Sequence, residues 1–249
     1  MRLCVLDNDV LDPEVAPTYT GYGAMLVRLL REAGANWEMD VFTAVHGQYP
    51  ASFDAYDAVL LTGSRADAFS DDAWVVTLRQ KVEQLLQEQK KILGVCFGHQ
   101  LIALCMGAKV GRAPQGWGTG RMTYQWHVPD FAQAQGRTEI ALLASHQDQV
   151  FELPVGATLL ASSTFCPVAA FAVGQHVLCV QPHPEFVEDY SAYLLNKRRT
   201  QLGEAHYSAS QKSLALGHEG VAMARMMVAF VENGQHAQRF KALDASAAM

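Results

Sequence analysis

The stretch that most constrains this chain is Gly94-Val95-Cys96-Phe97-Gly98-His99-Gln100, which follows the apolar run Ile92 to Val95 and precedes the helix-like Leu101 to Met106. The order is strand, sharp turn, helix. Glycines two residues to either side of a cysteine make the G-x-Nuc-x-G pattern of a nucleophile elbow, in which small neighbours let the backbone bend and expose the central side chain. Cys96 then sits at a helix N-terminus, where unsatisfied N–H groups and the helix dipole favour thiolate over thiol. The Phe97 N–H is placed to help hold an oxyanion. Taken alone, the same residues also describe a buried small cysteine among ordinary turn glycines.

A second segment bears on that choice. The apolar run Val177 to Gln181 ends in Pro182-His183-Pro184-Glu185, which delivers a base and a carboxylate together. A cysteine nucleophile needs an imidazole to take its proton, and the imidazole needs a third group to fix its tautomer and stabilise its charge. His183 and Glu185 fit those roles, and the flanking prolines restrict the backbone that carries them.

With both segments in view, the chain resembles the class I (triad) glutamine amidotransferases, which pair a G-x-C-x-G-x-Q elbow with a later H-P-E. Leu61-Thr62-Gly63-Ser64 resembles the family's oxyanion loop, and Ser145-His146-Gln147-Asp148-Gln149-Val150 resembles the S-H-x-D-x-V segment of its guanylate-synthase-like branch. The likeness runs from about Arg2 to Phe186. It implies that Cys96, His183 and Glu185 are catalytic, and that the backbone at Gly63 and Ser64, with Phe97, holds the oxyanion. Gln100, Ser145 and His146 are the further substrate-binding candidates it implies, Ser145 and His146 as a loop wall. His146, two residues before Asp148, is a rival for the base, but the resemblance puts the base in H-P-E. Where many members have proline after the oxyanion loop, this chain has Arg65-Ala66-Asp67, similar to the branch that includes the plant gamma-glutamyl peptidases; Arg65 and Asp67 are candidates to recognise a charged leaving group.

The chain has 249 residues, half of them hydrophobic, enough for one sizeable α/β domain over 1–249, with a catalytic core 1–190 and a helical tail 191–249. A net charge of −6 offers no basic stripe, so nucleic acid is not an expected partner. The five cysteines show no C-x-x-C spacing, against zinc and against disulfides. The turn Asp7-Asn8-Asp9 is acidic, but Asp and Asn also turn a chain after a strand, and no metal or cofactor is expected. No secretory leader and no apolar run of about 18–20 residues is seen, which suits a cytoplasmic protein away from membranes.

Along the chain, Leu3 to Leu6, Trp37 to Ala44 and Ala58 to Leu61 read as strands. Gly21 to Ala33 and Trp74 to Glu88 carry apolar residues at helical spacing. This alternation, continued by the elbow strand, predicts a doubly wound, mostly parallel central sheet of flavodoxin-like type, with ligands beyond the strand C-termini. Leu11 to Thr20 is then a loop on the ligand side. Short strands are expected at Ala108 to Val110, Thr123 to His127, Glu139 to Ala144, Thr158 to Ala161, Val168 to Ala172 and Val177 to Val180, forming a small antiparallel extension. Tyr190 to Leu195 and Gly220 to Val231 look helical, with a polar connection Lys197 to Lys212 between them and a frayed end at 242–249.

The function expected is cysteine-dependent hydrolysis of gamma-glutamyl amide bonds through a glutamyl-thioester. The small-molecule substrate is glutamine or a gamma-glutamyl peptide. Two alternatives stand: a subunit passing ammonia to a separate synthase, and a non-catalytic or redox-sensing module of the same fold. No phosphate loop follows H-P-E, and Thr62 to Asp67 favours a hydrolase that acts alone.

Overall fold

The computed structural model describes residues 1–128 and 138–233; the expected frayed end at 242–249 lies outside them. The strands are β1 (Arg2–Asp7), β2 (Glu38–Thr43), β3 (Ala58–Leu61), β4 (Lys91–Val95), β5 (Val110–Arg112), β6 (Gly118–Trp126), β7 (Glu139–His146), β8 (Asp148–Val150), β9 (Thr158–Ser162), β10 (Ala170–Val173) and β11 (Val177–Val180). The helices are α1 (Ala16–Tyr19), α2 (Tyr22–Glu32), α3 (Ala73–Gln87), α4 (Phe97–Cys105), α5 (Glu188–Leu202), α6 (Glu204–Leu214) and α7 (Gly220–Asn233). Nine strands form one sheet in the order β2-β1-β3-β4-β11-β10-β9-β6-β7, and β5 with β8 makes a separate two-stranded sheet.

The sheet has two halves. From β2 to β11 every pairing is parallel, and from β11 to β7 every pairing is antiparallel. In the parallel half, successive side chains leave opposite faces, so one strand feeds two cores. Leu3 and Val5 of β1 pack with Leu26, Leu29 and Leu30 of α2 and with Met223, Met227 and Phe230 of α7. Cys4 and Leu6 of the same strand pack with Val75, Leu78 and Val82 of α3 and with Leu101 and Ile102 of α4. A strand sandwiched between helices must be apolar throughout, and Leu3 to Leu6 are fully buried.

The doubly wound sheet is therefore as expected, with local corrections. Lys197 to Lys212 is not a connection but mostly helix, because α5 runs on to Leu202 and α6 begins at Glu204 after Gly203, whose φ is +74°. Strand β6 starts at Gly118 rather than Thr123, and the expected strand at Ala108 to Val110 falls instead at Val110–Arg112. Within the stretch read as a loop from Leu11 to Thr20, one turn of helix forms at Ala16–Tyr19. Ser145 and His146 end a strand instead of walling a loop, since they pair with Thr119 and Gly118. Among the described residues no helix is long and apolar enough to cross a membrane, and no three His, Cys, Asp or Glu side chains are grouped to hold a metal ion.

Candidate active site

Cys96 lies between the end of β4 and the start of α4 with φ 50° and ψ −101°. A non-glycine residue there costs of order 1–3 kcal/mol and persists only where its surroundings enforce it. The enforcing contacts are visible. The Cys96 N–H donates to the Val180 carbonyl of β11 (2.9 Å), and the Gly98 N–H donates to the Thr62 carbonyl after β3 (3.2 Å). A Cβ on Gly98 would fall 2.5 Å from the Leu61 carbonyl oxygen, and one on Gly94 would fall 2.8 Å from the Gly98 backbone. The two glycines of the motif thus let α4 close onto β3 and β4, which is what bends the chain at the cysteine.

The base arrives from the neighbouring strand. β11 pairs in parallel with β4, Val180 opposite Val95, so the segments leaving the two strands start side by side. The His183 N–H donates to the Leu143 carbonyl of β7 (2.8 Å). Its ring lies parallel to Phe186, 3.8 Å between centroids, and its Nδ1 is 2.8 Å from Glu185 Oε1. The Cys96 sulfur acts on the same imidazole, favouring its charged form. Nδ1 being taken by the carboxylate, Nε2 is the nitrogen left for the sulfur. Burial works against the imidazolium, but the Glu185 carboxylate and the Cys96 sulfur outweigh it and lift His183 to about 10, so the ring holds its proton at neutral pH. Cys96, His183 and Glu185 are each at most 5% exposed, which strengthens every charge interaction among them.

Gly63 closes the other side of this group. A Cβ there would stand 2.7 Å from His183 Cε1 and 3.6 Å from Cys96 Cβ, so the loop after β3 lies directly on the imidazole and the cysteine. That loop is laced to the one after β1: the Asn8 N–H donates to Thr62 Oγ1 (2.9 Å) and its amide to the Thr62 carbonyl (3.0 Å). Phe97, at the first position of α4, has an N–H outside the helical ladder.

The family model for class I glutamine amidotransferases matches residues 15–197. The chain belongs to that family. Gamma-glutamyl peptidase 3 of Arabidopsis thaliana is 39% identical over 180 residues, covering 69% of this chain and 72% of that protein. A GMP synthase (glutamine-hydrolysing) of Burkholderia vietnamiensis is 33% identical over 172 residues, 65% of this chain but 30% of the synthase. Among solved structures, a glutamine amidotransferase of Thermotoga maritima superposes with a TM-score of 0.72 over 94% of this chain and 99% of that one, at 18% identity; this last likeness speaks to the fold alone.

The other residues singled out in this amidotransferase chain have these places. Gln100 is buried, its amide nitrogen donating to the Asp148 carbonyl (2.8 Å) and to Gln181 Oε1 (3.1 Å), so it braces α4 against the chain after β7 and β11. Ser64 Oγ accepts from the Ala66 N–H (3.1 Å). His146 is buried against Phe165 with Nδ1 3.0 Å from the Asp148 carbonyl, and burial pushes it down to about 4. A histidine that stays neutral to such low pH and has no carboxylate on its ring is a poorer base candidate than His183. Arg65 and Asp67 are both engaged within the protein. Arg65 Nε lies 3.0 Å from Asp9 Oδ1, and its other nitrogens reach Asp12 and the Val10 carbonyl; Asp67 pairs with Arg112 at 3.1 Å. Arg198 went unremarked in the sequence because it falls in the polar stretch Lys197 to Lys212, read there as a connection. It donates from Nη1 to Ser145 Oγ (3.1 Å) and lies over the Trp117 ring, 4.8 Å from its centroid.

Proposed function

We propose that this chain hydrolyses the gamma-glutamyl amide bond of small peptides through a glutamyl-thioester on Cys96. The observation that carries the reading is the buried line from Cys96 through His183 to Glu185, set at a strained elbow and capped by Gly63. Cys96 attacks the gamma-carbonyl carbon as the sulfur anion stabilised by the adjacent imidazolium. The oxyanion is received by the Phe97 N–H and the N–H groups of the Gly63-Ser64 loop. His183 gives its proton to the departing amine as the C–N bond breaks and the S–C bond is complete. It then takes a proton from water, which attacks the thioester, releases glutamate and restores the sulfur. Glu185 keeps Nδ1 bonded throughout, so the ring cannot turn away.

The likeness to gamma-glutamyl peptidase 3 supports a peptide substrate. A second reading, ammonia supply to a separate synthase, is favoured by the match to the glutamine-hydrolysing part of a GMP synthase. A redox-sensing module would have no use for a histidine oriented by Glu185, and is disfavoured. The test is turnover of glutamine and of gamma-glutamyl dipeptides by the purified chain, with labelling of Cys96 by a glutamine-analogue electrophile. Cys96→Ala and His183→Ala should each abolish both turnover and labelling or reduce them by orders of magnitude, while His146→Ala should retain turnover. If His146→Ala is the more damaging change, the assignment of the base is wrong.

A further inference from the structure

Three consecutive basic residues lie in the C-terminal half of α5, Lys197 and Arg199 exposed and Arg198 half-buried. Lys197 pairs with Asp12, and Arg199 pairs with Glu204 at 2.8 Å. Arg198, between them, has no carboxylate within ion-pair distance among the described residues, yet it is partly buried. A guanidinium offers five N–H donors in a fixed plane, and Ser145 uses one of them. Stacking on Trp117 fixes that plane, leaving a pre-organised fork that matches a carboxylate.

Its position ties it to the site. Ser145 lies two residues along β7 from Leu143, whose carbonyl holds the His183 N–H. Burial lowers Arg198 from its ordinary value, while the hydroxyls of Tyr22 and Tyr190 and the sulfur of Cys96 favour its charge and Arg65 opposes it. Tyr22 is itself packed on the His183 ring, 6.1 Å between centroids. Arg198 is therefore a partly buried cation that no carboxylate pairs among the described residues, held on the end of the strand whose Leu143 carbonyl also holds His183.

We propose that Arg198 binds the carboxylate of the departing half of the substrate, which makes the preferred substrates gamma-glutamyl amino acids and peptides with a free carboxylate on the amine side. The inference rests on the hydrolase reading above and goes beyond it by selecting among gamma-glutamyl compounds. The orientation follows from burial. The acyl carbon must reach the sulfur of a cysteine that is 5% exposed, so the glutamyl half occupies the interior and the amine half points back to solvent, where Arg198 keeps its exposed side. Glutamine, whose leaving group is ammonia, leaves the guanidinium unpaired.

The experiment compares kcat/KM for gamma-glutamyl-alanine, for the same dipeptide with its alanine carboxylate converted to a carboxamide, and for glutamine. Measurements use the full chain and its Arg198→Met and Arg198→Lys variants. The unaltered protein should prefer the free acid over the carboxamide by about 10- to 100-fold, the span of a charge-assisted pair. Arg198→Met should collapse that preference, and Arg198→Lys should restore part of it. The acid-to-amide ratio of the unaltered protein needs no substitution, so it decides the matter even where Arg198→Met does not fold. Equal turnover of acid and carboxamide overturns the inference. An equal loss on all three substrates in Arg198→Met does so too, since it points to the glutamyl carboxylate or to packing. If the unaltered protein turns over no gamma-glutamyl compound, the hydrolase reading falls and takes the inference with it.

Discussion

Gly63→Ala isolates the contact that confines the imidazole. The glycine is not among the residues with positive φ, so alanine suits the backbone and the added methyl is the whole perturbation. That methyl would lie 2.7 Å from His183 Cε1, whereas comfortable carbon contacts fall at about 3.5–4.0 Å. The ring would have to retreat by about 1 Å. It has no slack, being stacked 3.8 Å from Phe186 on one face and held 2.8 Å from Glu185 at Nδ1. A catalytic group misplaced by about 1 Å loses roughly 100-fold in rate, and one methyl forced into a packed site costs about 1–3 kcal/mol of stability. Gly63→Ala should therefore lose about 100-fold in kcat/KM on a gamma-glutamyl dipeptide while staying folded, checked by urea denaturation alongside the kinetics. Turnover within threefold of the parent would show that the ring is free to move, and the confinement argued here would be wrong.

Gly98→Ala should act on the fold: its Cβ would meet the Leu61 carbonyl at 2.5 Å, so α4 must move off the sheet, and a loss of about 1–3 kcal/mol of stability, read as a lower urea midpoint, is expected despite alanine's better helix propensity. Asp7, at the end of β1, accepts from the Gly23 N–H of α2 (3.0 Å), and burial chiefly, with the Asp9 charge, raises it from 3.8 to about 6 against the bonds from Gly23 and Thr62. The fold thus binds this proton more tightly than the unfolded chain does, so the stability it confers is present below pH 4 and is lost as pH rises through about 6. Asp7→Asn should match the parent near pH 4 and exceed it by up to about 3 kcal/mol at pH 8; a gap that does not change with pH refutes the assignment.

What was legible in the sequence was what burial writes into single strands and one-sided helices. Leu3 to Leu6 is apolar at every position because helices cover both faces, and α2 shows its buried Met25, Leu26, Leu29 and Leu30 at helical spacing. The elbow was legible because its two glycines answer a local steric demand. Helices α5 and α6 were harder: α5 buries only Tyr190, Ser191, Leu194 and Leu195, and α6 only Ser210 and Leu214, too thin a stripe to mark either as helical throughout. The start of β6 was misread for a tertiary reason. A Cβ on Gly120 would fall 2.6 Å from Ser213 Oγ, so a glycine that looks like loop punctuation is there to admit α6. That the loop cation Arg65 is paired was beyond the sequence altogether, since Asp9, Asp12 and Arg65 meet only once β1 and β3 lie side by side.

The placement of β11 between β4 and β10 has a consequence for how the protein is made. A chain emerging from the ribosome presents its N-terminal elements first, and β1 to β4 can begin to pair as soon as they appear. The cysteine is then already at the end of its strand, but the strand that delivers the imidazole is the last of the sheet to be synthesised. Until β11 docks, Cys96 lacks both the Val180 carbonyl that holds its N–H and the His183 imidazole that its sulfur acts on. Cys96, His183 and Glu185 are thus brought together in one late long-range event, and a nascent or truncated chain ending before β11 carries the cysteine without its imidazole and carboxylate neighbours.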